Sequence, residues 1–333
     1  MTALVTGGGG FLGATLVRAL VARGERVIVL GRGRYPAFAN QPLVSCVQAD
    51  LRDAPAVARA FAGVRTCYHV AAKAGYWGDP AEFHAINVDG TAHVIAACRA
   101  AGTERLVYTS SPSVVIGARD IRGGDERLPY PRRYLATYPA TKAIAERMVL
   151  AANGTDGLLT CALRPHLIWG PGDNHLLPRL LARARAGQLV GVGNRRNHVD
   201  VIHVDNAARA HLLAAERLER GSPVSGSTYF INQERPVALW PFIDALLAQA
   251  HLGPVRRYIG HRTAYTLGWA LERAHVALRR SGEPRMTRFL AHQLGAEHWF
   301  SSKRARAELG YHPNTSIEHG LEQLRADLAR SSL

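Results

Sequence analysis

The chain has 333 residues, 47% of them apolar and 20% charged, which suffices for a sizeable buried core, while no apolar run reaches the roughly 18 residues that a spanning helix needs. Its formal net charge of +15 comes from 38 arginines and three lysines scattered along the chain, with no nucleic-acid module and no block of like charges, so polynucleotide binding is not expected as the main function. The four cysteines form no Cys-x-x-Cys and the histidines no His-Glu-x-x-His, so reduced thiols and no metal are expected. The first strand starts within three residues of Met1, without a basic region and long apolar segment before it, so a cytoplasmic protein is expected.

In chain order, β-rich apolar runs at Ala3–Val5, Val27–Leu30, Val44–Val47, Thr66–Val70, Leu106–Thr109 and Cys161–Arg164 alternate with amphipathic stretches. Those stretches are Gly13–Ala22, Ala54–Ala62, Asn87–Ala101 and Thr137–Ala152. This alternation predicts an α/β fold, a doubly wound parallel sheet of Rossmann type. The regularity falls after Gly170-Pro171-Gly172-Asp173. The expected division is a nucleotide-binding domain over 1–173 and a smaller, mostly helical substrate region over 174–333, with part of 199–232 returning to the first domain. In the second region Leu267, Leu271, Ala274 and Leu278 make a helical stripe that reads as core. Tyr265 and Trp269, among arginines on the other side, could cover a ligand or touch a partner or a membrane surface.

Thr6-Gly7-Gly8-Gly9-Gly10-Phe11-Leu12-Gly13 follows the first strand directly. Gly7, Gly10 and Gly13 suit a tight turn, a close backbone approach to a pyrophosphate and close helix packing, with Phe11 and Leu12 opening a helix whose N-terminus faces phosphates. The second strand runs into Gly31-Arg32-Gly33-Arg34. No carboxylate awaits a free ribose hydroxyl there, and Arg32, with Arg34 as a second donor, suits a 2′-phosphate. NADP(H) is therefore the expected cofactor. Asp50 and Leu51 after the third strand are placed for the adenine, and Ala71 and Ala72 after the fourth leave room for the cofactor backbone.

Tyr138 and Lys142 are four apart at the start of a helix and so share one face. About 27 residues earlier the fifth strand ends in Thr109-Ser110-Ser111, at the carboxyl edge where such sheets bind ligands. A hydroxyl there, a phenol and an ammonium suit the reduction of a ketone, with Tyr138 as general acid and Lys142 stabilising the tyrosinate. Asn87 reads either as part of a proton relay or as a helix N-cap. Lys73, just past the fourth strand, reads either as a holder of a substrate carboxylate or as a solvated surface lysine, the latter being the stronger reading.

These motifs, with Asn87-Val88-Asp89-Gly90-Thr91 and Leu163-Arg164-Pro165 before Gly170-Pro171-Gly172, occur in the order found in extended short-chain dehydrogenases/reductases, which the chain resembles over nearly its whole length. The resemblance implies Ser111 as the catalytic hydroxyl, with Ser110 in reserve, and Pro165 and Ile168 beside the nicotinamide. Within that superfamily the chain resembles the 3β-hydroxysteroid dehydrogenase branch, and most closely the bacterial 2-alkyl-3-oxoalkanoate reductases of long-chain olefin biosynthesis. The closer likeness rests on Ala71-Ala72-Lys73-Ala74-Gly75-Tyr76-Trp77-Gly78, on His166-Leu167-Ile168-Trp169-Gly170-Pro171-Gly172-Asp173, on Thr287-Arg288-Phe289-Leu290-Ala291, and on His298-Trp299 and Glu308-Leu309-Gly310-Tyr311. It implies an NADPH-dependent ketoreductase acting on a lipid-like keto acid, a homodimer, and association with other enzymes of that pathway. A hydroxysteroid dehydrogenase, a nucleotide-sugar epimerase or reductase, and a non-catalytic NADPH sensor are the alternatives.

Overall fold

The computed structural model describes residues 2–331. Strands β1 (Thr2–Thr6), β2 (Arg26–Gly31), β3 (Val44–Gln48), β4 (Thr66–His69), β5 (Arg105–Thr109), β6 (Leu159–Pro165) and β7 (Thr228–Ile231) form one sheet in the order β7-β6-β5-β4-β1-β2-β3. Every pairing in it is parallel. The strands read as near-continuous apolar runs because both faces are covered. In β1, Val5 points toward α1 (Phe11–Ala22) and Leu4 toward α2 (Ala54–Arg59), each side chain entering a separate core.

The remaining helices follow in chain order: α3 (Pro80–His84), α4 (Gly90–Ala100), α5 (Thr137–Ala151), α6 (Leu176–Arg185), α7 (Val204–Arg217), α8 (Leu239–Gln249), α9 (His261–Ala277), α10 (Arg288–Gly295) and α11 (Ile317–Ser331). Helices α1 and α7 cover one face of the sheet, and α2, α4 and α5 the other. Strand order reverses between β1 and β4, so a crevice opens beyond their carboxyl ends. Residues 204–231 supply α7 and β7 to the layers of this sheet. The rest of the second region packs around Trp169, Trp240 and Phe242, with α6, α8, α10 and α11 contributing leucines.

Two expectations need correcting. The helix expected to start at Asn87 starts seven residues earlier, where Asp79 caps Pro80 by accepting from the Ala81 amide at 2.9 Å. Asn87 is therefore no N-cap, and it lies in a widened π-turn, Ala85–Asp89, that joins α3 to α4. The stripe of α9 read as core is core only in part: Leu271 packs half-buried against the second region's core, as does Tyr265 from the side read as opposite, whereas Leu267 is 45% and Leu278 61% exposed. The buried line is Ala264, Gly268 and Glu272. Gly268 permits close packing, because a Cβ there would lie 2.5 Å from the Thr287 carbonyl carbon, and Glu272 accepts from the Arg288 amide and side chain at 2.7 Å each.

Candidate active site

A cleft of about 650 Å3 runs along the carboxyl ends of the strands, from the glycine loop to Tyr138. At the loop, Gly7 has φ +67°, and its amide donates to the Leu30 carbonyl at 2.7 Å. A Cβ on Gly13 would stand 2.1 Å from the Gly7 carbonyl oxygen. No side chain caps α1, so its first amides face the cleft beside Phe11 and Leu12. Free helix-terminal amides next to a loop this bare of side chains fit a dinucleotide pyrophosphate.

Arg32 is exposed at the end of β2 and lines the cleft, whereas Arg34 lies outside the lining. Tyr35, which the sequence did not single out, lies in it instead. A Cβ on Gly9 would be 1.9 Å from its ring and one on Gly31 2.2 Å from its hydroxyl, while the Gly33 amide donates to that hydroxyl at 3.3 Å. Gly9, Gly31 and Gly33 have no positive φ, so what they provide is room for this ring. Asp50 and Leu51 line the cleft too, but the Asp50 carboxylate is held by Arg52 at 2.8 and 3.0 Å, a hydrogen-bonded pairing that keeps it below its ordinary pKa. Ala71 and Ala72 border the middle of the cleft, and Pro165 and Ile168 its far end.

There α5 presents Tyr138 and Lys142 to the end of β5. Burial raises the Tyr138 phenol above its ordinary pKa, and the nearby Ser111 hydroxyl opposes the rise. Ser111 also accepts from the Ser113 hydroxyl at 2.9 Å and the Ser113 amide at 3.2 Å. The Ser110 hydroxyl, by contrast, is buried with no protein partner. Lys142 is only 2% exposed, donates to the Thr109 carbonyl at 2.6 Å and sits 4.1 Å from the centre of the Tyr108 ring. Burial pulls its amine down to about 7, with the Glu146 carboxylate acting the other way. One turn further along α5, Glu146 accepts from Arg164 at 2.6 and 2.9 Å and from the Tyr130 hydroxyl at 2.6 Å. Leu163-Arg164-Pro165 thus clamps α5 to β6 with a bidentate ion pair.

Asn87 accepts from the Lys73 amide at 2.7 Å and donates to the Lys73 carbonyl and the Thr141 hydroxyl at 3.1 Å each. It ties the loop after β4 to α5 and touches neither the phenol nor the amine. The Lys73 ammonium is already engaged, with Glu82 at 2.8 Å and the Phe83 ring at 5.1 Å.

A buried chain of hydrogen bonds not anticipated from the sequence joins these parts. The Ala71 amide donates to the Thr6 hydroxyl at 3.1 Å, which meets His69 Nδ1 at 2.7 Å; His69 Nε2 meets the Thr91 hydroxyl at 3.0 Å, which donates to the Asn87 carbonyl at 2.6 Å. Since Thr91 spends its proton on Asn87, it accepts from Nε2–H, and Thr6 donates to Nδ1. His69 is therefore the neutral Nε2–H tautomer, consistent with burial and the Lys142 charge lowering it to about 3. His69→Leu leaves the buried Thr6 proton without its acceptor and the Thr91 oxygen without its donor, and is expected to cost roughly 2–3 kcal/mol; an unchanged urea-unfolding midpoint would contradict the chain.

A family model described as the 3-beta hydroxysteroid dehydrogenase/isomerase family matches residues 4–257. The chain is 49% identical to a 2-alkyl-3-oxoalkanoate reductase of Stenotrophomonas maltophilia, over 99% of this chain and 100% of that protein. It is 44% identical to a protein of the same name from Shewanella oneidensis, over 98% and 86% of the two chains. Among solved structures, MoeE5 in complex with UDP-glucose and NAD superposes with a TM-score of 0.76 at 26% identity, covering 100% of both chains.

Proposed function

Because the chain belongs to the 3-beta hydroxysteroid dehydrogenase/isomerase family, a family of nicotinamide-dependent oxidoreductases, we propose that it reduces a 2-alkyl-3-oxoalkanoate to the 2-alkyl-3-hydroxyalkanoate with NADPH, in long-chain olefin biosynthesis. The observation that carries this reading is the convergence of Ser111, Tyr138 and Lys142 on the cleft that the glycine loop also lines, in a chain so similar to named reductases of that substrate.

The loop from Gly7 to Gly13, Asp50, Leu51, Ala71, Ala72, Lys142, Pro165 and Ile168 would hold the dinucleotide, with Arg32 on the 2′-phosphate. When bound, the reduced nicotinamide supplies the hydride that the ketone carbon accepts. Ser111 donates a hydrogen bond to the ketone oxygen, and Tyr138 transfers its phenolic proton to that oxygen as the C–H bond forms. Lys142 places positive charge beside the tyrosinate left behind. Asn87, which reaches no reacting group, holds the Lys73 loop and α5 in register. Lys73 meets the substrate carboxylate only by loosening its pairing with Glu82. Assembly as a homodimer, alongside other enzymes of that pathway in the cytoplasm, belongs to the same proposal.

The decisive assay measures NADPH and NADH oxidation with a long-chain 2-alkyl-3-oxo acid, a 3-oxosteroid and a UDP-sugar. Preference for the keto acid with NADPH is expected, and a preference for the steroid or the sugar overturns the substrate assignment. Arg32→Asp is expected to lower kcat/KM for NADPH by roughly 30-fold, the worth of a charge-assisted hydrogen bond to phosphate, with little loss for NADH. Equal losses with the two cofactors would remove Arg32 from the 2′-phosphate site.

A further inference from the structure

Helix α9 leaves a long exposed face that the proposed reaction does not use. Trp269 is 47% and Val276 68% exposed along one flank, and Leu267 and Leu278 are 45% and 61% exposed on the other. Arg262 and Arg273 lie on the Trp269 flank at helical spacing, and Arg279 follows the helix end; all three are exposed. Arg273 stands over the Trp269 ring at 5.8 Å. The one acid on α9 is Glu272, buried and paired with Arg288. This face therefore offers aliphatic groups, an indole and unneutralised guanidinium groups, with no exposed carboxylate.

We propose that the exposed face of α9 docks on the surface of an anionic lipid bilayer, the helix lying in the headgroup plane. The composition matches an interfacial helix, in which apolar flanks and tryptophan enter the headgroup boundary and arginines meet lipid phosphates. A second copy of the chain fits poorly, because an isologous contact would set arginines against arginines. No helix among the described residues is long and apolar enough to cross a membrane, so the contact is peripheral. The C-terminal end of α9 also adjoins the cleft mouth. Its His275 meets the ring of Trp77 edge-on at 6.1 Å, in the same loop whose Lys73 and Ala74 line the cleft. Beyond α9, Glu283 pairs with Arg179 of α6 at 3.1 Å. Docking through this face brings the mouth to the lipid surface, where a long-chain substrate partitions.

The test is co-sedimentation of the full-length protein, without cofactor or substrate, with phosphatidylcholine vesicles that contain or lack phosphatidylglycerol. Binding only to the anionic vesicles, weakened by salt, with a blue shift in tryptophan emission that Trp269→Phe abolishes, is expected. The variant Arg273→Glu with Arg279→Glu should lose partitioning by roughly 30-fold or more, at about fivefold for each arginine. Its thermal midpoint and its turnover of a short, soluble keto acid should stay unchanged. Binding to neither vesicle, equal binding to both, an undiminished double variant, or binding of polyglutamate in place of vesicles overturns the proposal. Because the assay contains no substrate, its outcome is independent of whether the keto-acid reading holds.

Discussion

Tyr138→Phe is expected to lower kcat by about three orders of magnitude while leaving the KM for NADPH and the unfolding midpoint nearly unchanged. The phenol lines the cleft together with Ser111, and burial holds it above its ordinary pKa, so it carries its proton throughout the neutral range. The phenol oxygen fixes no backbone element: Ser111 keeps its two contacts with Ser113 when it is gone, and α5 stays fixed through Glu146 and Arg164. The loss should fall on chemistry alone. The sign of the pH dependence follows. Ketone reduction needs the protonated phenol and declines as pH rises through the raised pKa, whereas oxidation of the alcohol needs the tyrosinate and increases over the same range. A Phe variant retaining more than a tenth of wild-type turnover, or a reduction rate that climbs with pH, would remove Tyr138 from the role of acid.

What could be read from the chain was local. Glycines at 7, 10 and 13 act within one loop and the first turn of the helix it opens, and Tyr138 and Lys142 within one helical turn, so their spacing alone places them; the strands follow from apolar runs whose two faces are covered. What could not be read depends on side chains distant in sequence. Gly9, Gly31 and Gly33 look like ordinary loop residues until the Tyr35 ring is laid across them. Thr6 and His69 lie 63 residues apart, and no periodicity announces that they share a proton. The place of Asn87 is hidden in the sequence because the helix starts at Asp79-Pro80 and a π-turn breaks the 3.6-residue rhythm between α3 and α4. The apolar stripe on α9 misled for a different reason. Close packing at Gly268 and the Glu272–Arg288 pair decide which face is buried, and neither residue is apolar enough to weigh in a hydrophobic pattern.

Lys142→Met separates catalysis from stability most sharply, because the two are expected to move in opposite directions. Turnover should fall by roughly 100- to 1000-fold as the cation beside the tyrosinate is lost. Stability at pH 6 should rise. In the folded protein the amine sits at about 7 against an ordinary 10.5, so between these values the unfolded chain binds more protons and stability increases with pH. Below about pH 7 the full cost of burying the ammonium is present, on the order of 5 kcal/mol, and methionine is free of it. Offsetting this, the Thr109 carbonyl loses the donor that meets it at 2.6 Å, which costs roughly 1–3 kcal/mol. The variant should therefore be the more stable protein by about 2 kcal/mol or more at pH 6, and the less stable one near pH 10, where wild-type lysine is already neutral on folding and still donates to Thr109. Urea unfolding of both proteins at the two pH values measures the difference, in which every other titrating group cancels. A Met variant less stable at pH 6 by the same margin as at pH 10 would mean that the Lys142 amine keeps its ordinary affinity for protons inside the fold.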